Sequence, residues 1–177
     1  ENKAVSIDRS IVLPAMTKKD RRAIVVGRKC GIRHFALSFA SHVEDVREFR
    51  SCIGDDAHLI AKIENIKGIK NLDGIADQSD AILIDRGDLS REVPINQIPF
   101  IQRRIISSVK SRLKPVYVAT NLLESMTSTP KPTRAEVNDV MNTLLDGADG
   151  LVLAAETAIG DHPINCVEMI RSLIDEH

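Results

Sequence analysis

Five short apolar runs, each followed by an amphipathic stretch, are the strongest constraint on how this chain folds. They extend from Phe35 to Phe39, Leu59 to Ile63, Ala81 to Ile84, Val116 to Ala119 and Leu151 to Ala154, and their starts lie 24, 22, 35 and 35 residues apart. This spacing is close to the ~30 residues of a strand plus a crossover helix, so the repeating unit is strand then helix and the strands pair in parallel. Aromatic residues are only 3% of the chain, with no Trp and the single Tyr117, so the core is built from Ile, Leu, Val and Ala.

The segments between the runs carry helix signals. Thr17-Lys18-Lys19-Asp20 is a capping box with Asp in place of Glu, opening a helix that ends near Gly27 to Gly31. Thr133-Arg134-Ala135-Glu136 has the full T-x-x-E form and predicts a helix stopping at Gly147. Between about Asn96 and Leu113, Ile98, Ile101, Ile105, Ile106 and Val109 share one helical face. Pro163 suits the first turn of a last helix from about Ile164 to Asp175. The Pro-containing patch from Ser128 to Pro132 reads as a rigid loop.

Repeated strand–helix units give an open doubly wound sheet or a closed (β/α)₈ barrel. A barrel takes eight strands and ~250 residues. The 177 residues here supply about five units, so the expected fold is α/β, an incomplete parallel barrel of TIM type. Its first and fifth strands would have open edges, which invite pairing with a second copy or with the rest of a longer chain.

Several function classes are disfavoured. Lys plus Arg is 24 against 25 for Asp plus Glu, a formal net charge of −1, which speaks against a nucleic-acid footprint and against electrostatic membrane attachment. No run approaches the ~18 apolar residues of a membrane span, and the first ten residues lack a signal-peptide core, so a cytoplasmic location is expected. Cys30, Cys52 and Cys166 are far apart and form no C-x-x-C, so they are expected to be buried reduced thiols.

Polar residues gather where the apolar runs end, the place where parallel α/β folds put their sites. They are Ser38 and Ser41, Lys62 and Glu64, Asp85 to Asp88, Thr120, and Glu156 with Thr157, so five strand ends are expected to meet at one mouth. Strand alternation puts Lys62 and Glu64 on one face. An internal ion pair is the plain explanation. The Asp88 carboxylate on the next strand end adds another: with Glu64 it forms a sparse oxygen site suited to Mg²⁺ or Mn²⁺, beside a lysine able to stabilise a phosphoryl group or enolate. Gly87, in Asp85-Arg86-Gly87-Asp88-Leu89, permits positive φ and a turn, and equally a close approach of an anion to backbone N–H groups. A cell-adhesion role for R-G-D does not suit a strand-end loop. Thr120 and Glu156 could each be structural, one ending a strand and the other opening a helix.

Taken together, Ala61-Lys62-Ile63-Glu64-Asn65, Asp85-Arg86-Gly87-Asp88-Leu89, the segment from Ala119 to Met126, Pro132-Thr133-Arg134-Ala135-Glu136-Val137, Leu145 to Asp149 and Glu156 to Gly160 resemble pyruvate kinase in order and spacing. The resemblance implies a stretch of that family's (β/α)₈ barrel, from just after its inserted lid to the end of the barrel. Residues 1–177 would then be one partial barrel domain, with the lid and the C-terminal regulatory domain absent. It further implies Lys62 as the phosphoryl-transfer lysine and Glu64 and Asp88 as Mg²⁺ or Mn²⁺ ligands. The backbone of Arg86, Gly87 and Asp88 would hold the substrate carboxylate, and Thr120 would stand beside the enol carbon and assist its protonation.

The implied substrates are phosphoenolpyruvate or pyruvate, with ADP or ATP joining only if the barrel is completed. K⁺ is a further family cofactor, but its ligands and a nucleotide-contacting arginine fall before residue 1. Departures from the family pattern are Ser41 for a basic residue, Asp85 for a small neutral one, Ser90 for Gly, Asn121-Leu122 for Gln-Met and Ala154 for Ser. Two other functions follow from the same residues: a non-catalytic assembly or regulatory module, and a metal-dependent lyase or decarboxylase acting on a 2-oxo acid.

Overall fold

The computed structural model describes residues 14–177. Its elements, in order, are α1 (Lys18–Lys29), β1 (His34–Leu37), α2 (Val43–Ile53), β2 (His58–Ile63), α3 (Ile66–Lys70), α4 (Leu72–Gln78), β3 (Ala81–Asp85), α5 (Arg86–Leu89), α6 (Ile98–Lys110), β4 (Val116–Ala119), α7 (Arg134–Leu145), β5 (Gly150–Val152), α8 (Ala155–Ala158) and α9 (Pro163–Glu176). Strand order follows chain order, β1-β2-β3-β4-β5, and every pair is parallel. This is the α/β, TIM-type partial barrel expected from the spacing, and among the described residues β1 and β5 stand at its two edges.

The capping chemistry is as read. Thr17 and Asp20 close a reciprocal box at the start of α1, and Thr133 and Glu136 close another at α7. Gly147, at φ +100°, lets the Ala148 amide turn back to the Thr143 carbonyl and so ends α7. The 96–113 helix is shorter than its apolar pattern, because Ile95–Gln97 forms a 3₁₀ turn ahead of Pro99 and the helix proper begins at Ile98.

The two faces of the sheet differ in cover. On β2, Leu59, Ala61 and Ile63 are fully buried under the helices, while His58, Ile60 and Lys62 on the inner face are half-buried. The largest core joins the outer face to α2, α4 and α6 through Val46, Phe49, Ile75, Ile105, Ile106 and Val109. A second core packs Val140 and Leu144 of α7 and Cys166 and Ile170 of α9 against Leu122, Leu123 and Met126. The strand register carries a row across the inner face, Lys62 beside Leu83, Leu83 beside Tyr117, and Tyr117 beside Gly150. Side chains two residues further along stand on that same face.

The N-terminal ends of the strands are pinned by two equivalent aspartates. Asp80, ahead of β3, accepts from the Leu59 amide at 2.6 Å, and Asp149, ahead of β5, accepts from the Val116 amide at 2.8 Å. Each also pairs with a cation, Arg50 and Lys110 respectively. Burial alone would raise both carboxyls, but these bonds hold each below its ordinary value. The cysteines depart from expectation. Only Cys166 is buried, whereas Cys52 is half-buried and Cys30 is exposed at the end of α1, where the chain turns out through Gly31.

Glu136 does more than cap α7, since it also accepts from the Ser125 amide at 2.7 Å and from the Ser125 hydroxyl. Partial burial raises its carboxyl, but the Ser125 and Thr133 bonds outweigh that and leave it lowered. A lowered folded value means that this stabilisation is present above the ordinary glutamate range and is lost as pH falls through the lowered value. Urea unfolding should therefore show Thr133→Ala costing about 1 kcal/mol, and Glu136→Gln should flatten the acid limb of the stability profile. An unchanged acid limb would show that Glu136 does not contribute it.

Candidate functional site

Three strand ends build one polar cluster at the C-terminal side of the sheet. Lys62 projects from the inner face of β2, and Glu64 follows two residues later on that face, 2% exposed. Asp85, the last residue of β3, stands two residues past Leu83, the register partner of Lys62. The Lys62 Nζ lies 2.7 Å from Glu64 Oε1 and 3.1 Å from Asp85 Oδ2, so one ammonium bridges two buried carboxylates. The Phe39 amide, just after β1, donates to the other Glu64 oxygen.

Asp88 completes the group from the short helix α5, where it also pairs with the exposed Arg91 at 3.1 Å. One oxygen from each of Glu64, Asp85 and Asp88 lies within 4.8 Å of the others. Burial pulls the Lys62 ammonium down, but the paired Glu64 and Asp85 outweigh it and leave it raised. Glu64 is raised as well, chiefly by burial, which the Lys62 and Phe39 bonds only partly offset. An all-oxygen donor set of three carboxylates fits a hard divalent ion such as Mg²⁺ or Mn²⁺ and does not suit a soft one.

Thr120 sits where β4 ends, and its backbone is strained. It has φ +71° and is followed by Asn121 at +53°, two successive left-handed residues without a glycine. Such conformations cost on the order of 1–3 kcal/mol each and persist only where the surroundings impose them. Arg86 imposes this one. Its Nε and Nη2 donate to the Thr120 carbonyl at 3.0 and 2.9 Å, and Nη2 also donates to the Asn121 carbonyl at 2.7 Å. The guanidinium is itself held by Asp139 of α7 at 2.7 Å. The Thr120 hydroxyl accepts from the Gly87 amide at 2.7 Å and lies 3.2 Å from Asp85 Oδ1.

The structure corrects two expectations about this region. Gly87 does not form a positive-φ turn; it lies within α5, and its lack of a side chain matters because a Cβ would come within 3.3 Å of the Thr120 hydroxyl. The five strand ends also do not contribute alike. Ser41 bonds Asn65 and the Phe39 carbonyl in a neighbouring depression, and Ser38 is exposed. Glu156 turns away from the carboxylate cluster and accepts from the Leu123 and Ala154 amides, with Thr157 exposed beside it, so the end of β5 braces the loop after β4. Burial raises Glu156, and the surrounding amides overcome this to hold it lowered.

The sequence places Asp85 among the strand-end residues and as a departure from the family pattern, without marking it as a partner of Lys62, and does not single out Asp139 or Gln102. Gln102 bridges Thr143 and the Arg86 guanidinium. The available signal is the pair of polar residues at 139 and 143, one turn apart on α7 and beside the core residues Val140 and Leu144.

Residues 1–167 match the family model described as pyruvate kinase, barrel domain. The chain belongs to the pyruvate kinase family. It is 42% identical to the pyruvate kinase of Debaryomyces hansenii over 163 residues, covering 90% of this chain and 32% of that protein. It is 40% identical to the Agrobacterium vitis pyruvate kinase, covering 98% of this chain and 36% of the relative, and 42% identical to the Thermotoga maritima pyruvate kinase, covering 92% and 35%. The chain thus spans about a third of the length of these curated relatives.

Within this pyruvate kinase-family barrel, Arg86 should act as the fastener of the Thr120 loop. Arg86→Met removes the donors to two part-buried carbonyls and the partner of Asp139, and should destabilise by about 1–3 kcal/mol, the cost of leaving such groups unpaired. Lysine cannot reproduce the forked contact, so Arg86→Lys should recover little. Urea unfolding of the two variants checks this, and a loss below about 0.5 kcal/mol in either, the size of an ordinary surface substitution, would contradict it.

Proposed function

We propose that the chain supplies the metal and enolpyruvate half of a pyruvate kinase site, for phosphoryl transfer between phosphoenolpyruvate and ADP. The observation that carries this is Lys62, Glu64, Asp88 and Thr120 meeting at neighbouring strand ends of a parallel barrel sheet. Residues 1–177 form one partial barrel domain in this reading. The remaining strands come from elsewhere in a longer chain or from a partner, and among the described residues the outer edges of β1 and β5 are open to them. A cytoplasmic location belongs to the same reading. Among the described residues no helix is long and apolar enough to cross a membrane.

The roles follow from the chemistry of each group. Glu64 and Asp88 hold Mg²⁺ or Mn²⁺, which when bound supplies Lewis-acid polarisation of enolate and phosphoryl oxygens. Lys62, kept cationic by its carboxylate partners, places positive charge where phosphoryl oxygens gather. The amides of Arg86, Gly87 and Asp88 at the start of α5 offer donors to the substrate carboxylate. The Gly87 amide now satisfied by Thr120 would exchange partner as that carboxylate arrives. The Thr120 hydroxyl, relieved of the amide, holds a proton near the enol carbon and lies within reach of Asp85.

This division of labour predicts separable activities. In D₂O with Mn²⁺, the chain should exchange the methyl protons of pyruvate, followed by NMR, while forming little ATP from phosphoenolpyruvate and ADP. Lys62→Met and Thr120→Val should each reduce exchange by at least about 100-fold, a loss of roughly 2.7 kcal/mol in transition-state stabilisation. Absence of Mn²⁺-dependent exchange would reject the enolpyruvate assignment and favour a non-catalytic module. Metal-dependent release of CO₂ from a 2-oxo acid would instead favour a decarboxylase.

A further inference from the structure

We propose that Asp85 is a third protein ligand of the divalent ion, so that this chain holds the ion with three carboxylates of its own and without needing a substrate oxygen. The inference deepens the metal reading above and rests on it.

Register is the first support. Leu83 pairs with Lys62, and Asp85, two residues on, faces the same side as Lys62 and Glu64. Asp85 is therefore directed into the cluster by the strand itself, with no loop movement required. Distance is the second. The three carboxylate oxygens already lie within 4.8 Å of one another, and an octahedral ion with bonds of about 2.1 Å spans ligand oxygens roughly 3–4 Å apart. Small side-chain rotations close the difference.

Charge is the third support. Three carboxylates gather around one lysine that pairs with two of them, and Arg91, the partner of Asp88, sits at the exposed rim with 62% of its side chain accessible. Lys62 already bridges Glu64 and Asp85, the two most buried members, so the protein's own ammonium marks the space between them as a cation position. An ion drawing on the same oxygens would loosen that bridge and leave Lys62 free for an incoming phosphoryl group. The third ligand makes ion binding less dependent on substrate, because one site that a substrate oxygen or water would fill is filled by protein.

Titration calorimetry of Mn²⁺ into the chain, with water-proton relaxation of the bound ion, tests this directly. The unaltered chain should bind one Mn²⁺ without any organic anion. Asp85→Ala should weaken binding at least about 10-fold and raise the relaxation enhancement, since a water takes the vacated position. Asp85→Asn, which keeps size and a hydrogen-bonding oxygen beside Thr120, should weaken binding in the same direction while leaving the melting temperature close to that of the unaltered chain. Oxalate should strengthen Mn²⁺ binding more in Asp85→Ala than in the unaltered chain. If Asp85→Ala binds Mn²⁺ as tightly as the unaltered chain, with unchanged relaxation, while Glu64→Gln loses it, Asp85 is not a ligand and the metal site stands on Glu64 and Asp88. If the unaltered chain binds no Mn²⁺, or Glu64→Gln binds it equally well, the metal reading itself is overturned.

Discussion

One ammonium shared between two buried carboxylates is the interaction on which the site depends. Lys62 cannot be moved from β2 without leaving Glu64 and Asp85 unpaired in a setting where each uncompensated charge costs several kcal/mol. The pair is also incomplete as a charge balance, because Asp88 adds a third carboxylate within reach. Burial raises the Glu64 carboxyl, and the Lys62 and Phe39 bonds offset only part of that cost. A divalent cation would take up the remainder, so the cluster's ability to bind an ion and its cost when empty have one origin.

A second constraint keeps that cluster facing a reactive hydroxyl. Thr120 holds a left-handed conformation that a β-branched residue disfavours, followed by a left-handed Asn121, and the Arg86 guanidinium ties down both carbonyls. Arg86 is fixed in turn by Asp139 of α7, which packs on the loop after β4, and by Gln102 of α6. Packing of the outer layer is thus transmitted to the Thr120 hydroxyl through one side chain. The ends of β1 and β5 act as braces, the first through the Phe39 amide on Glu64 and the second through Glu156 on the Leu123 amide.

Much of this is legible in the chain. The apolar runs locate the five strands of the described residues to within two residues, because parallel strands covered by helices must be apolar over their length. The capping boxes at Thr17 and Thr133 are equally direct, since their partners are only three residues away. The parts that escape are those in which distant segments decide the outcome. Asp139 is 53 residues from Arg86, and no local pattern links them. Gly87 suggests a flexible turn, whereas its role is to let the Thr120 hydroxyl approach α5. Asp85 stands out only as a departure from the family pattern at a strand end until the register puts it beside Lys62 and Glu64. The left-handed backbone at Thr120 has no glycine to announce it.

In the proposed reading, Lys62 and its carboxylate neighbours form a cation-binding centre and not only an internal ion pair. A crystal structure of the chain grown with Mn²⁺, with anomalous scattering measured at the manganese edge, tests it most directly. One strong peak is expected, bonded to Glu64 and Asp88, with the Lys62 ammonium shifted from its present bridge. A crystal in which Lys62 still bridges Glu64 and Asp85, with no anomalous peak between the carboxylates, would contradict it.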